Sequence, residues 1–364
     1  MITNITEEKT NLSIAVYCKD YDQEHDYFTD TTIESGRDAG HPFNRDDGNF
    51  FVRRLYDDLI SIGASVDRYE KYIKNDISPT HVIFIDIPKE KSIIKNKVIS
   101  KSIKIALLSE CEVIKPWNYK KSYHDLFDYL FTWTGSVLKT MTNAVYMPCF
   151  FSYTDNNLKN YKQYHNIKKE KLCVMIASNK YHTHPLELYS ARKSVVEWFN
   201  TNRSDDFDLY GYDWDKRYIR SPKPLRILNR SKIFTKSKKD TYKCYKGVAI
   251  TKIEVMAQYK FSICFENARS LSGYITEKIF DSMISGSIPI YYGSPDIAEH
   301  VPGQCFINFQ DFDNISELYS YISRISDKEY TEYISAIEEF LTAPHIELYS
   351  ADFFSKNIIK TITN

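Results

Sequence analysis

Neither sign of charge prevails in this chain, where 48 Lys+Arg stand against 48 Asp+Glu. A formal charge of zero offers no sequence-independent grip on nucleic acid, which would require a local basic patch. The seven cysteines (Cys18, Cys111, Cys149, Cys173, Cys244, Cys264, Cys305) include no Cys-x-x-Cys pair. Several lie inside apolar runs, so reduced thiols in a reducing compartment are expected. The opening "MITNITEEKTNLSIAVYCKD" lacks a basic segment followed by a long apolar one, and nowhere do some 18 apolar residues run unbroken. Neither export nor a membrane span is expected. Internal repeats and low-complexity tracts are also missing.

What is present is material for a core. Hydrophobic residues make up 43% of the 364 and charged residues 26%, which excludes a disordered chain. That length points to two domains. One basic stretch does occur, from Arg217 to Lys246. It reads as a solvated loop or a surface for anionic lipid or glycan, and a nucleic-acid reading would rest on it alone.

"LSIAVYC", "THVIFIDIP" and "IKIALLS" in the first part are short apolar runs rich in β-branched residues, as buried parallel strands require. "FFVRRLYDDLISIG" repeats its apolar positions at helical spacing and stops at Gly63, a C-cap residue. After "VYMPCFFSY", the polar stretch at 155–170 shows no apolar periodicity and reads as a linker. From "KLCVMIAS" onward, strand and helix patterns alternate through "FDLYG", "KIEVMAQY", "KFSICFEN", "ITEKIFDSMISG", "SIPIYYG" and "SELYSYISRI". The expected organisation is therefore a first domain at 1–154, the linker, a second domain at 171–344 and a helical tail at 345–364 that crosses back onto the first. Each domain reads as an α/β, doubly wound, Rossmann-like sheet, the two facing across a cleft.

The most informative segment is "FENARSLSGYITEKIFDSMISGSIPIYYGSP", Phe265 to Pro295. A strand ends at Glu266-Asn267, a loop with Gly273 follows, and Thr276 is placed to cap a helix whose first turn carries Glu277 and Lys278. Free N–H groups at a helix start, with an ammonium beside them, suit a phosphate. Glu277 suits sugar hydroxyls. The same pattern would also serve an ordinary capped helix that packs Ile275, Ile279 and Met283 into a core.

This segment resembles the hallmark of the α-1,3/4-fucosyltransferases, glycosyltransferase family 10: Phe-Glu-Asn, then Gly-Tyr-[Val/Ile]-Thr-Glu-Lys, then Pro-[Ile/Val]-Tyr-x-Gly-[Ser/Ala]-Pro. "ASNKYHTHPLELYSARKSVVEWFN" is similar to the family's Ser-Asn segment followed by a helical arginine, and "LLSECEVIKPWNYKKSYHDLFDYLFTW" more loosely resembles the segment in which a strand ends in a glutamate. The resemblance implies a GT-B fold and transfer of L-fucose, with inversion, from GDP-β-L-fucose to a glycan hydroxyl, α-1,3 on a GlcNAc-type acceptor. It implies Glu110 as general base, with Glu112 as rival. It implies Arg192, Asn267, Tyr274, Glu277 and Lys278 as donor-binding residues, with no obligatory metal and no other cofactor. The expected partners are GDP-fucose and an oligosaccharide or glycolipid acceptor, not nucleic acid. The expected setting is cytoplasmic, with a peripheral contact on the membrane face. Residues before about 101 resemble nothing in the family, which leaves the acceptor unread. A relative using another nucleotide sugar or acceptor, and a sugar-binding module without catalysis, are the alternatives. The Asp-x-Asp triads at Asp206/Asp208, Asp213/Asp215 and Asp311/Asp313 and the pair His182/His184 read as surface or structural features, not metal ligands.

Overall fold

The computed structural model describes residues 12–18, 28, 48, 50–149, 155–216, 242–249 and 251–363. Most of the basic stretch from 217 to 246 lies outside these. The described residues divide into two compact units, one comprising 12–149 with the chain's end from Glu347, the other running from Asp155 to Ile346.

In the first unit the chain alternates β1 (Ser13–Cys18), α1 (Phe50–Ser61), β2 (Ser65–Arg68), α2 (Tyr69–Lys74), β3 (His81–Ile85), α3 (Lys91–Ile94), β4 (Ile103–Leu108), α4 (Lys121–His124), β5 (Tyr129–Thr132), α5 (Gly135–Thr140) and β6 (Ala144–Tyr146). The sheet runs β2-β1-β3-β4-β5-β6 with every pairing parallel. Its central strands are buried on both faces, as shown by the neighbours Ile83, Phe84, Ile105 and Ala106, all at 0% exposure. Helix α1 ends as its sequence predicts. Gly63 takes φ +83°, its N–H bonds to the Ile60 carbonyl, and Ala64 N–H bonds to that of Leu59, the paired closure that favours glycine.

The second unit contains α6 (Asp155–His165), β7 (Lys171–Ile176), α7 (Tyr189–Asn202), β8 (Phe207–Tyr210), α8 (Lys252–Met256), β9 (Tyr259–Phe265), α9 (Glu277–Ile284), β10 (Ile288–Tyr292), α10 (Ile297–His300), β11 (Ile307–Asn308), α11 (Ile315–Ile322) and α12 (Asp327–Thr342). Its sheet is also parallel, in the order β11-β10-β9-β7-β8. The chain therefore starts in the middle, lays β8 on one side, then crosses to build β9 to β11 on the other. The strand order reverses between β7 and β9, and ligands in open α/β sheets bind outside the carboxyl ends of strands at such a point.

The stretch read as a linker departs from expectation, because 155–165 is helix α6 and belongs to the second unit. Among its described side chains the anchors are a tyrosine and a histidine. Tyr161 is 4% exposed, and the His165 ring lies between the Met283 carbonyl (Nε2, 2.8 Å) and Glu338 Oε1 (Nδ1, 3.1 Å). Just beyond, the Lys169 ammonium donates to the carbonyls of Tyr164, Ala257 and Ser285 at 3.0, 2.7 and 2.9 Å. One half-buried cation thus closes the negative ends of α6, α8 and α9. Burial pushes its pKa down to about 8, while three carbonyl partners take up all three hydrogens of the charged form.

The tail forms α13 (Ala351–Thr363), whose Phe354, Ile358 and Ile362 join Val52, Leu55 and Leu59 of α1 in the core of the first unit. Ser355 Oγ donates to Asp58 at 2.7 Å across that contact. Among the described residues, no helix is long and apolar enough to cross a membrane.

Candidate functional site

Predicted donor residues gather around the carboxyl end of β9, where a buried residue that was not predicted holds one of them, Lys278. Glu266 follows directly after β9 and is 0% exposed. A bare carboxylate in that position would be very costly, so its oxygens must be satisfied. Oε1 accepts the Thr276 N–H at 2.8 Å, and Oε2 accepts the Thr276 hydroxyl at 2.7 Å and the Lys278 ammonium at 3.1 Å.

Two expectations are corrected here. Thr276 occupies the N-cap position of α9 but its side chain makes no capping bond, because its hydroxyl goes to the Glu266 carboxylate, a stronger acceptor. The Gly273 N–H is not open either. At φ +77° it donates to Ser294 Oγ and Asp296 Oδ1, both at 3.0 Å, and the following N–H groups of Tyr274 and Ile275 are taken by Leu271 and Gly273 carbonyls. The loop before α9 spends these amides on protein acceptors.

Lys278 supplies one cation. Its ammonium gives one hydrogen to Glu266 and one to Thr276 Oγ1 at 2.7 Å. Burial works against its charge, but the carboxylates of Glu266 and Glu277 outweigh it and hold the pKa above the usual lysine range. Glu277 Oε1 stands 3.5 Å from the same nitrogen. Burial opposes its ionisation too, yet Lys278 first and Lys252 second pull it down to about 2. Its side chain is 40% exposed, so water screens part of this effect. Ionised throughout the neutral range, it is a pure acceptor, as sugar hydroxyls require.

Arg192 is the second cation. Carried on α7 at 5% exposure, it lays Nε and Nη2 on the Phe265 carbonyl at 3.1 and 2.6 Å and Nη2 also on Asn267 Oδ1 at 3.1 Å. Among the described residues Nη1 has no acceptor. Burial lowers the pKa, with Tyr189 and the carboxylates Glu266 and Glu277 opposing. Arg192 in turn acts on Lys278 as a like charge, so an anion held by both relieves a repulsion built into the fold.

Asn267 links this pair to Tyr274, donating from Nδ2 to the Tyr274 hydroxyl at 3.3 Å. Tyr274 itself is 1% exposed. It presents no open ring face to a sugar. Ile275, Ile279 and Met283 are all buried, so the segment builds core and site at once.

Glu110 lies in the first unit, half-buried, two residues past the end of β4. Extended geometry does not continue to Glu112, which opens a turn closed by bonds from Ile114 and Lys115 N–H to the Cys111 carbonyl. Glu110 and Glu112 are therefore not alternate residues on one strand face. Three of the Asp-x-Asp residues have protein partners. Asp208 accepts from Lys171, Tyr259 and Lys246, Asp206 from Tyr319, and Asp213 pairs with Lys216. His182 and His184 accept backbone N–H groups of their own loop through Nδ1.

Glu266 escaped the sequence reading although a signal was there: a glutamate closing an apolar strand, ten residues before a Thr-x-Lys, is a buried acceptor waiting for donors.

The geometry agrees with what the chain is similar to. Residues 231–352 match the model of the glycosyltransferase family 10 (fucosyltransferase) C-terminal domain. An α-(1,3)-fucosyltransferase of Helicobacter pylori is 48% identical over 71 residues, 20% of this chain and 15% of that protein. An α-(1,4)-fucosyltransferase of Arabidopsis thaliana is 38% identical over 80 residues, 21% of this chain and 20% of that protein. The chain thus matches no more than a fifth of the length of either relative. The fold agrees over a far longer stretch. A crystal structure of an α1,3-fucosyltransferase with GDP-fucose covers 97% of this chain and 90% of its own length at a TM-score of 0.53 and 18% identity. The two parallel α/β units have the GT-B fold, and the stretch at 231–352 is similar to the C-terminal domain of the family 10 fucosyltransferases.

Proposed function

We propose that this protein transfers L-fucose from GDP-β-L-fucose to a hydroxyl of a glycan acceptor with inversion, forming an α-1,3 bond on a GlcNAc-type sugar of an oligosaccharide or glycolipid at a cytoplasmic membrane face. The observation that carries this reading is the assembly of Arg192, Asn267, Glu277 and Lys278 at the carboxyl ends of β7 and β9, where the strand order reverses.

In the proposed reaction the Glu110 carboxylate takes the proton of the acceptor hydroxyl. That oxygen attacks the anomeric carbon from the face opposite GDP, and the bond from the anomeric carbon to the phosphate oxygen breaks, its electron pair leaving with GDP. Lys278 and Arg192 hold the charge that grows on the departing pyrophosphate, each charge-assisted hydrogen bond contributing about 1.5–3 kcal/mol. Glu277 and Asn267 hold hydroxyls of the donor, with Tyr274 supporting Asn267.

Two cations fixed by buried partners do the work that an Asp-bound metal ion does in other transferases, so no metal is required. Labelled GDP-fucose offered with a glycan panel in excess EDTA is expected to give labelled product. Activity that EDTA abolishes and only Mn²⁺ or Mg²⁺ restores contradicts the metal-free account. Labelling from another nucleotide sugar, and none from GDP-fucose, contradicts the donor assignment.

A further inference from the structure

Glu110 is held in place by a buried carboxylate that no part of the reading above uses. Asp86 is the residue after β3, 4% exposed, and it adopts φ +59°, in the left-handed region that side-chain-bearing residues seldom take. Its two oxygens accept five hydrogen bonds. Oδ1 takes the Ser109 N–H at 2.8 Å, the Glu110 N–H at 3.1 Å and Asn118 Nδ2 at 2.8 Å. Oδ2 takes the Ser109 hydroxyl and the Lys115 ammonium, both at 2.9 Å.

The other backbone atom of Glu110 is fixed as well. Its carbonyl accepts the Tyr119 hydroxyl at 3.0 Å and Asn118 Nδ2 at 3.3 Å. Asn118, at 0% exposure, also takes the Ile87 N–H on Oδ1 at 3.0 Å, which ties the chain after β3 to the loop after β4. The backbone that carries Glu110 is thus clamped on both sides by side chains from 8 to 24 positions away. A loop that needed only closure could use a serine or an asparagine. Here a buried charge and a strained backbone are spent on a single site, the kind of over-determination that accompanies a demand for exact placement.

We propose that Asp86, with Asn118 and Tyr119, is a positioning residue that fixes Glu110 for proton transfer; the proposal rests on Glu110 being the base. A displacement of about 1 Å at such a group is enough to cost roughly 10² in rate. Asp86→Asn keeps the size but removes the charge and leaves one acceptor oxygen: turned toward the Ser109, Glu110 and Asn118 N–H groups it sets its NH₂ against the Lys115 ammonium, and turned the other way it sets that NH₂ against the Glu110 N–H. It is expected to lower kcat on GDP-fucose and a panel-selected acceptor by roughly 10- to 100-fold, leaving the KM for GDP-fucose within about twofold, since donor binding lies in the other unit.

The double-variant cycle separates positioning from mere stability. In the Glu110→Gln background there is no base left to misplace, so Asp86→Asn should cost less than about twofold there. An equal loss in both backgrounds, or no loss from Asp86→Asn in the parent, overturns the proposal while the base assignment stands. Full activity of Glu110→Gln overturns the base assignment, and the proposal with it. Should Asp86→Asn fail to fold, Tyr119→Phe removes one hydrogen bond to the Glu110 carbonyl and keeps the ring. It should show a smaller kcat loss that likewise vanishes with Glu110→Gln, and a loss that persists there overturns the clamp.

Discussion

Glu110→Gln is expected to lower kcat by roughly 10² or more while binding GDP-fucose like the parent, because a general base contributes about 10²–10⁴ in rate and no part of the donor grip. The substitution is nearly isosteric, and the clamp on Glu110 uses its backbone N–H and carbonyl, which glutamine keeps. Folding should therefore be unchanged, and melting temperature is the control. Glu112→Gln should turn over normally, since Glu112 sits in the turn beyond the clamped residue. If instead Glu112→Gln is dead and Glu110→Gln is active, the base must be reassigned by two positions.

Lys278→Ala is expected to weaken GDP binding by about 10- to 100-fold, corresponding to the loss of one charge-assisted hydrogen bond to the pyrophosphate. It has a second consequence that must be kept apart from the first. Glu266 would be left buried with Thr276 alone as donor, and stranding one member of a buried pair costs about 3 kcal/mol or more. Glu266→Gln in the same chain removes the stranded charge. The double variant should recover much of the lost stability and still bind GDP poorly. Calorimetry that finds parental affinity in the double variant would show that Lys278 serves only Glu266. Arg192→Lys is the companion test. It keeps the charge but loses the planar fork that rests on the Phe265 carbonyl and Asn267, so affinity should fall with it.

Strands and helices that bury aliphatic side chains were legible one by one, as in "THVIFIDIP" and "KFSICFEN", because a parallel sheet covered on both faces demands apolar runs. The order of strand, glycine loop and charged helix start from Phe265 to Pro295 was legible because it is a local property. What escaped depends on partners distant in sequence. Thr276 reads as a cap until Glu266, ten positions earlier, takes its hydroxyl. The Gly273 amide reads as free until Asp296, 23 positions later, accepts it. Asp86 carries no local sign of its five donors, which come from 23 to 32 positions on. Helix α6 was hidden for a different reason: among its described side chains a tyrosine and a histidine are the anchors, which aliphatic periodicity does not register.

The most direct test of fucosyl transfer is the anomeric configuration of the product. Parent protein, GDP-β-L-fucose and a panel-selected acceptor, followed by NMR, should release GDP and fucosylated acceptor in equal amounts, with the new bond α, as attack opposite the leaving GDP requires. A β-linked fucoside, or GDP release without any acceptor product under saturating donor, would contradict the account.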